Sequence, residues 1–115
     1  MIDYNPLLCL DFYKTCHCDQ YPKELTKLVS YYTPRMSRLA DVDKITMFGL
    51  QAFIHEYLIE AFDRYFFSLP FDDVLSDYLR VLKATIGTCG VGATRLRELH
   101  ELGYLPLEIR AVPEG

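Results

Sequence analysis

The chain has little that would suit it to nucleic acid, to a membrane or to secretion. Its 12 basic and 16 acidic side chains give a formal net charge of −4, whereas duplex nucleic acid favours a basic surface. No apolar run reaches the ~20 residues that span a bilayer, and the acidic start at Asp3 is unlike a signal peptide. Repeats, charge blocks and low-complexity stretches are also absent. We therefore expect a cytoplasmic protein with no nucleic-acid or membrane partner.

The composition that is present is typical of one folded domain. Half of the 115 residues are hydrophobic and 14% are aromatic, which is enough to bury a core. In a cytoplasmic protein the cysteines are expected to be reduced thiols. There are four of them, Cys9, Cys16, Cys18 and Cys89.

Residues that are typical of helix ends predict where helices begin and end along much of the chain. Asn5, Asp43 and Asp72 are residue types that cap the start of a helix, and Gly87 and Gly103 are typical of helix ends. Four helices are predicted, over about 6–17, 44–67, 73–86 and 94–102. The helix over 44–67 has only a narrow polar stripe, although a surface helix needs only about a third of its circumference to be apolar. It must therefore be central, or a partner must cover its second face.

Two further segments have the pattern of β-strands. Residues 26–33 alternate in polarity and end at Pro34, which cannot donate to a ladder. Residues 105–112 contain Ile109 and Val112, and turn-forming residues follow at 113–115. Because a turn after a strand normally leads to the next strand, we expect this chain to be the front part of a longer protein. The predicted fold is an α+β domain with a small sheet and about four helices.

Two motifs have the residue types of a binding site but not the spacing. Cys16, His17 and Cys18, with Cys9 nearby, are possible zinc ligands, but structural zinc sites use two pairs of ligands roughly two to four residues apart. Thiols without metal are the favoured interpretation. Residues 87–92 are glycine-rich but lack the order of a phosphate-binding loop. An interhelical connection is favoured there.

A polar cluster lies on the first predicted helix. Asp11 and Lys14 fall on one face, and Tyr13 and His17, four residues apart, fall on another. Arg35, together with Arg38, follows the first predicted strand, and two guanidinium groups can clamp an anion. From spacing alone, solvated side chains remain the favoured interpretation, and no reaction can be assigned.

Four blocks of sequence, in order, resemble the nicotinamide phosphoribosyltransferase family. D-F-Y-K-T-C-H-C-D-Q-Y-P at 11–22 is similar to the family pattern D-x-Y-K-x-x-H-x-x-Q-Y-P. Residues 26–32, with Arg35, resemble the strand that follows it. F-G-L-Q at 48–51 and L-P-L-E-I-R-A-V-P-E-G at 105–115 resemble two later blocks of the family. The blocks span nearly the whole chain, whereas residues 72–102 match only in length and helical character.

The resemblance implies a type II phosphoribosyltransferase, a pentosyltransferase of pyridine nucleotide biosynthesis. Such enzymes join nicotinamide to 5-phosphoribosyl 1-diphosphate, which they use with Mg, and form nicotinamide mononucleotide and diphosphate in NAD salvage. They are homodimers with each active site at the subunit interface. Their catalytic residues lie on a later α/β barrel, so residues 1–115 are expected to be an N-terminal domain. The resemblance gives this domain no catalytic residue, metal ligand or cofactor, and no activity alone.

The resemblance also implies roles for three residues, donated to the partner subunit's active site. Tyr13 matches an aromatic residue that stacks on the pyridine ring, Asp11 a nearby carboxylate, and Arg35 an arginine that reaches phosphate groups. The sequence departs from the family where Phe12 replaces a serine. The stretch after Arg35 also lacks the usual lysines, so the full basic clamp on the diphosphate is not expected. An alternative interpretation is a stand-alone, non-catalytic dimerisation module.

Overall fold

Helices and irregular segments make up the structure, a computed structural model that describes residues 3–87 and 92–115. Two 3-10 helices come first, Pro6–Leu8 and Phe12–Gln20. Helix α1 (residues 50–67) begins as an α-helical turn and continues as two π-helical stretches, Leu50–Ala52, Phe53–Ala61 and Asp63–Phe67. Helices α2, Phe71–Thr85, and α3, Ala93–Leu102, complete the fold. In these described residues, no helix is long and apolar enough to cross a membrane.

The predicted α+β fold is wrong, because no described residue forms a β-strand. Residues 26–33 lie in an exposed, irregular stretch that covers 21–46. Neither they nor residues 105–112 form a ladder with another segment in the parts of the chain described. Alternation and β-branched side chains favour an extended backbone, but a strand is stabilised only when its N–H and C=O groups find a partner.

The end of the described chain contacts the start of α1 instead. The Glu114 side chain accepts a hydrogen bond from the Gln51 backbone N–H at 2.8 Å, and the Gly115 N–H donates to the Met47 carbonyl at 3.2 Å. The first turn of a helix has N–H groups with no intrahelical partner, and Glu114 satisfies one of them. The predicted cap at Asp43 is wrong, since α1 begins at Leu50.

Asn5 is confirmed as the cap of a helical segment. Its side-chain oxygen accepts from the Leu7 N–H at 3.1 Å, and its Nδ2 donates to the Val74 carbonyl of α2 at 3.2 Å. The buried amide therefore ties the N-terminal segment to α2. The predicted continuous helix over 6–17 is wrong, because the chain there forms two 3-10 helices that are separated by residues 9–11.

The core lies where α1 meets α2. Phe62, Phe66 and Val74 are buried there, and Phe66 is 0% exposed. Partly buried apolar side chains from the first 3-10 helix, α1, α3 and the C-terminal segment pack on them: Leu7, Tyr57, Phe67, Leu99 and Leu105. Helix α1 is thus central on one face, as its composition predicts. Its other face leaves Phe53 and Ile59 about half exposed.

Helix α3 is held against this core by His100. The His100 ring lies 5.2 Å from the Phe66 ring, nearly perpendicular to it, and its Nε2 is 2.9 Å from the Leu69 carbonyl oxygen. The predicted end of α3 at Gly103 is confirmed, with φ of 78° and an N–H that donates to His100 O at 3.2 Å. The predicted cap at Asp72 is wrong: α2 begins at Phe71, and the Asp72 carboxylate instead pairs with Arg97 at 3.1 Å.

Candidate ligand-binding site on the second 3-10 helix

Two of the three predicted site residues lie at the start of the second 3-10 helix, Phe12–Gln20. Thr15 of this helix is buried, and its hydroxyl donates to the Phe12 carbonyl of the same helix at 2.7 Å. Asp11 immediately precedes the helix, and its carbonyl accepts from the Lys14 N–H at 2.9 Å. With Thr15 directed into the protein, Asp11, Tyr13 and Lys14 are all exposed. The helix therefore presents these three side chains to solvent from a fixed backbone.

Asp11 and Lys14 form an ion pair, with 3.3 Å between the Asp11 Oδ2 and the Lys14 Nζ. In a 3-10 helix, residues three apart lie directly above one another, which brings the two side chains together. The Asp11 side chain is 63% exposed and that of Lys14 is 55% exposed. Exposed pairs of this kind contribute only about 0.2–1 kcal/mol to folding, so this pair does little to hold the fold.

Tyr13 is an exposed aromatic ring with two neighbours. It is 60% exposed, and the His17 ring meets it edge-on, with centroids 5.8 Å apart and planes at 66°. The Lys14 ammonium lies 5.9 Å from the centroid of the same ring. A ring with this exposure can stack on a flat ligand, an interaction worth about 0.5–1.5 kcal/mol beyond the buried area.

An open depression of about 580 Å³ adjoins the ion pair, lined by Leu8, Cys9, Leu10, Asp11 and Lys14. At its edge the Cys9 thiol donates to the Tyr4 hydroxyl at 3.3 Å, and this contact raises the pKa of Tyr4. The depression thus combines the apolar side chains of Leu8 and Leu10 with one carboxylate and one ammonium, and its lining is more polar than apolar.

Arg35, the third predicted site residue, lies apart from the other two. It is exposed within the irregular stretch 21–46. Among the described residues, no hydrogen bond, ion pair or ring contact joins it to Asp11 or Tyr13. The structure therefore brings Asp11 and Tyr13 together and does not bring Arg35 to them.

Lys14 is the residue whose importance the sequence analysis missed. Its pairing with Asp11 is predicted by the helical spacing and confirmed. Its approach to the Tyr13 ring is not predicted, because neighbours in sequence usually point to different faces of a helix. The signal was present in the D-x-Y-K spacing, which places an ammonium beside both a carboxylate and an aromatic ring.

The cysteines only partly match the expectation of reduced thiols. Cys9 and Cys18 are reduced, as expected, and the Cys18 thiol donates to the Thr15 carbonyl at 3.3 Å. Cys16 is disulfide-bonded, so the expectation is wrong for Cys16. It came from the expected compartment, which carries no information on which sulfur atoms meet in the fold. Burial, followed by the nearby Asp19 carboxylate, raises the pKa of Cys18. Cys89 and most of the glycine-rich stretch, residues 88–91, lie outside the described residues.

Among the described residues, the possible metal ligands of this region do not form a metal site. Within residues 3–87 and 92–115, no group of three or more His, Cys, Asp or Glu side chains is arranged to hold a metal ion. The second 3-10 helix therefore offers an aromatic ring, a carboxylate and an ammonium as its binding groups.

Comparison with known proteins places this helix within a matched region. The family described as "Nicotinamide phosphoribosyltransferase, N-terminal domain" matches residues 5–62, which include Asp11, Tyr13 and Arg35. A curated relative, the nicotinamide phosphoribosyltransferase of Acinetobacter baylyi, is 44% identical over 116 aligned residues. That alignment covers 96% of this chain and 23% of the relative, so the chain spans about a quarter of the relative's length. No solved structure has significant similarity to the chain.

Proposed function

The chain belongs to the nicotinamide phosphoribosyltransferase family, and from this premise we propose that it is the N-terminal part of an enzyme of NAD salvage. The complete enzyme would join nicotinamide to 5-phosphoribosyl 1-diphosphate and release nicotinamide mononucleotide and diphosphate. The proposal is supported by the family match over residues 5–62 and by the 44% identity to a relative of that name.

The proposed role of this chain is to complete the active site of a second subunit. Tyr13 would stack on the pyridine ring of nicotinamide, and Asp11 would accept a hydrogen bond from its amide. The observation that carries this role is the placement of Tyr13 in the first turn of the second 3-10 helix, directly after Asp11, with its ring 60% exposed. An aromatic ring next to a hydrogen-bond acceptor suits a flat heterocycle that carries an amide.

Arg35 would act on the other substrate. Its guanidinium group can donate two parallel hydrogen bonds to a phosphate. In phosphoribosyl transfer the bond between the ribose and the diphosphate breaks, so positive charge develops on the ribose carbon and negative charge on the leaving diphosphate. A fixed cation beside the diphosphate stabilises that change. The complete enzyme would use this substrate with Mg.

The proposed homodimer gives the irregular stretch a role. Large apolar side chains are exposed along residues 21–48, and Tyr32 is the most exposed of them at 91%. The group includes Leu28, Val29, Tyr31, Tyr32, Met36, Leu39 and Phe48. Monomeric proteins rarely expose so many contiguous apolar groups, and such surfaces mark interaction sites. A second copy of the chain is the proposed cover. The same observation favours the alternative function, a non-catalytic dimerisation module.

Association of the 115-residue chain tests this proposal. We expect a dimer at micromolar concentration in sedimentation equilibrium, because burying these side chains removes them from water at about 25 cal/mol per Å². Met36→Glu should shift the chain towards monomer, whereas Leu102→Glu, at an exposed position on α3, should not. A monomer that binds no apolar dye would contradict the proposed dimer surface.

Binding of nicotinamide tests the role of Tyr13. In the complete enzyme, Tyr13→Ala should raise the KM for nicotinamide by roughly tenfold, since loss of ring stacking and burial is worth on the order of 1.4 kcal/mol. Tyr13→Phe, which keeps the ring, should change it little. The matched control is Tyr104→Ala, because Tyr104 is 58% exposed and lies outside the site. An unchanged KM in Tyr13→Ala would refute the proposed stacking.

A further inference from the structure

Lys14 contacts both side chains that are proposed to meet nicotinamide. Its Nζ lies 3.3 Å from the Asp11 carboxylate and 5.9 Å from the centroid of the Tyr13 ring. The short 3-10 spacing produces this arrangement, since it aligns residues 11 and 14 and leaves the ring of residue 13 alongside. One ammonium group can therefore fix the orientation of a carboxylate and of a ring at the same time.

We propose that Lys14 is a positioning residue for nicotinamide binding, an inference that rests on the proposed function. It holds the Asp11 carboxylate and the Tyr13 ring in the relative orientation that a flat, amide-bearing ring requires. Lys14 does not itself touch the ligand. Its contribution is a counter-charge that keeps the Asp11 carboxylate beside the Tyr13 ring when the site is covered.

The strength of the attraction between Asp11 and Lys14 depends on whether water or another molecule covers the two side chains. In the chain described here both charged side chains are more than half exposed, and their attraction is weakened by water. When nicotinamide and a second subunit cover Asp11, its carboxylate loses solvent while it faces an uncharged ligand. A covered carboxylate without a counter-charge is costly, and loss of one partner from a covered pair costs more than loss from an exposed pair. The Lys14 ammonium, 3.3 Å from the Asp11 carboxylate, is positioned to supply that counter-charge.

The effect of Lys14 on ligand binding should therefore be larger than its effect on folding stability. Removal of the ammonium should leave the stability of the chain nearly unchanged, because the pair is exposed there. It should weaken binding, because the pair is covered in the complex. A lysine that was merely solvated would affect neither quantity, and a lysine that bound diphosphate would affect the other substrate.

The experiment compares Lys14→Met, Lys14→Arg and the control Lys83→Met in the complete enzyme. Lys83 is an exposed lysine of α2, outside the site. Lys14→Met should raise the KM for nicotinamide by roughly tenfold, equivalent to about 1.4 kcal/mol, with kcat within about twofold and Tm unchanged. Lys14→Arg should restore most of the binding, since it keeps the charge. Lys83→Met should match the unmodified enzyme.

A second comparison tests the mechanism. If Lys14 acts through Asp11, Lys14→Met should have much less effect in an Asp11→Asn background than alone, because two residues that act together are not additive. An unchanged KM for nicotinamide in Lys14→Met overturns the inference. So does a rise confined to the KM for 5-phosphoribosyl 1-diphosphate, which would show direct contact with the anionic substrate. An unchanged KM in Tyr13→Ala refutes the proposed stacking role of Tyr13, on which this inference also depends. An unchanged KM in Lys14→Met, together with a raised KM in Tyr13→Ala, refutes only this inference.

Discussion

Phe66→Ala should lower the free energy of unfolding of the chain by about 3–5 kcal/mol, the largest stability effect expected of a single substitution here. Phe66 is 0% exposed, and its ring is 4.9 Å from the Phe67 ring and 5.2 Å from the His100 ring by centroid distance. Truncation removes the apolar burial and leaves a cavity between α1 and α3 that the surrounding backbone can only partly close. A small domain is stable by only about 5–15 kcal/mol, so this loss would be a large fraction of the total stability.

Urea denaturation followed by circular dichroism measures this effect as a shift of the midpoint at constant slope. Phe66→Leu keeps more of the volume and should cost less, about 1–2 kcal/mol, so it provides a folded variant if Phe66→Ala does not fold. The matched control is Phe53→Ala in the same helix, because Phe53 is 49% exposed and should cost much less. Equal losses at the two positions would show that the core is not centred on Phe66.

Local signals predict the helices of this chain better than its sheet. Asn5 caps its helical segment and Gly103 ends α3 as predicted, because both effects depend on a few neighbouring backbone groups. The ends of α1 and α2 at residues 67 and 85 are also close to prediction. The start of α1 is not, since its first turn is satisfied by Glu114 from far along the chain. No local pattern near Asp43 could reveal that partner.

The strands failed for a different physical reason. Alternation over 26–33 and β-branched residues near 109–112 describe the side chains that a strand would need. They do not supply a neighbouring strand, and the described residues contain none. The sequence pattern also did not predict the π-helical character of α1. At its end the Ser68 N–H donates to the Asp63 carbonyl, five residues earlier, at 3.0 Å, whereas an α-helix would use the carbonyl four residues earlier.

The candidate site was predictable to the extent that it is local. Asp11, Tyr13, Lys14 and His17 lie within one short segment, and the helical spacing predicted the contacts between Asp11 and Lys14 and between Tyr13 and His17. Arg35 lies in an exposed stretch outside any helix, where spacing cannot place one residue against another. The motif resemblance supplied the candidate role of Arg35.

The 115-residue chain by itself should form no detectable nicotinamide mononucleotide from nicotinamide and 5-phosphoribosyl 1-diphosphate. Phosphoribosyl transfer depends on holding both substrates in line and on stabilising the departing diphosphate with several fixed donors. The described residues offer Tyr13 and Asp11 on one helix and Arg35 out of contact with them. Loss of a single such donor commonly lowers kcat by about 10²–10³-fold, so the lack of several should lower turnover by roughly 10⁴-fold or more.

The measurement is product formation by chromatography, with the complete enzyme as the positive control at the same concentration of sites. The isolated chain is also assayed after mixing with complete enzyme that carries Tyr13→Ala. If this chain donates Tyr13 to a partner's site, mixed dimers should recover part of the lost activity, because the intact chain supplies the ring to a site that lacks it. The isolated chain carrying Tyr13→Ala should give no recovery. Turnover by the isolated chain alone would show that residues 1–115 contain a whole active site, and an absence of recovery in mixtures that do form dimers would refute the donation of Tyr13 between subunits.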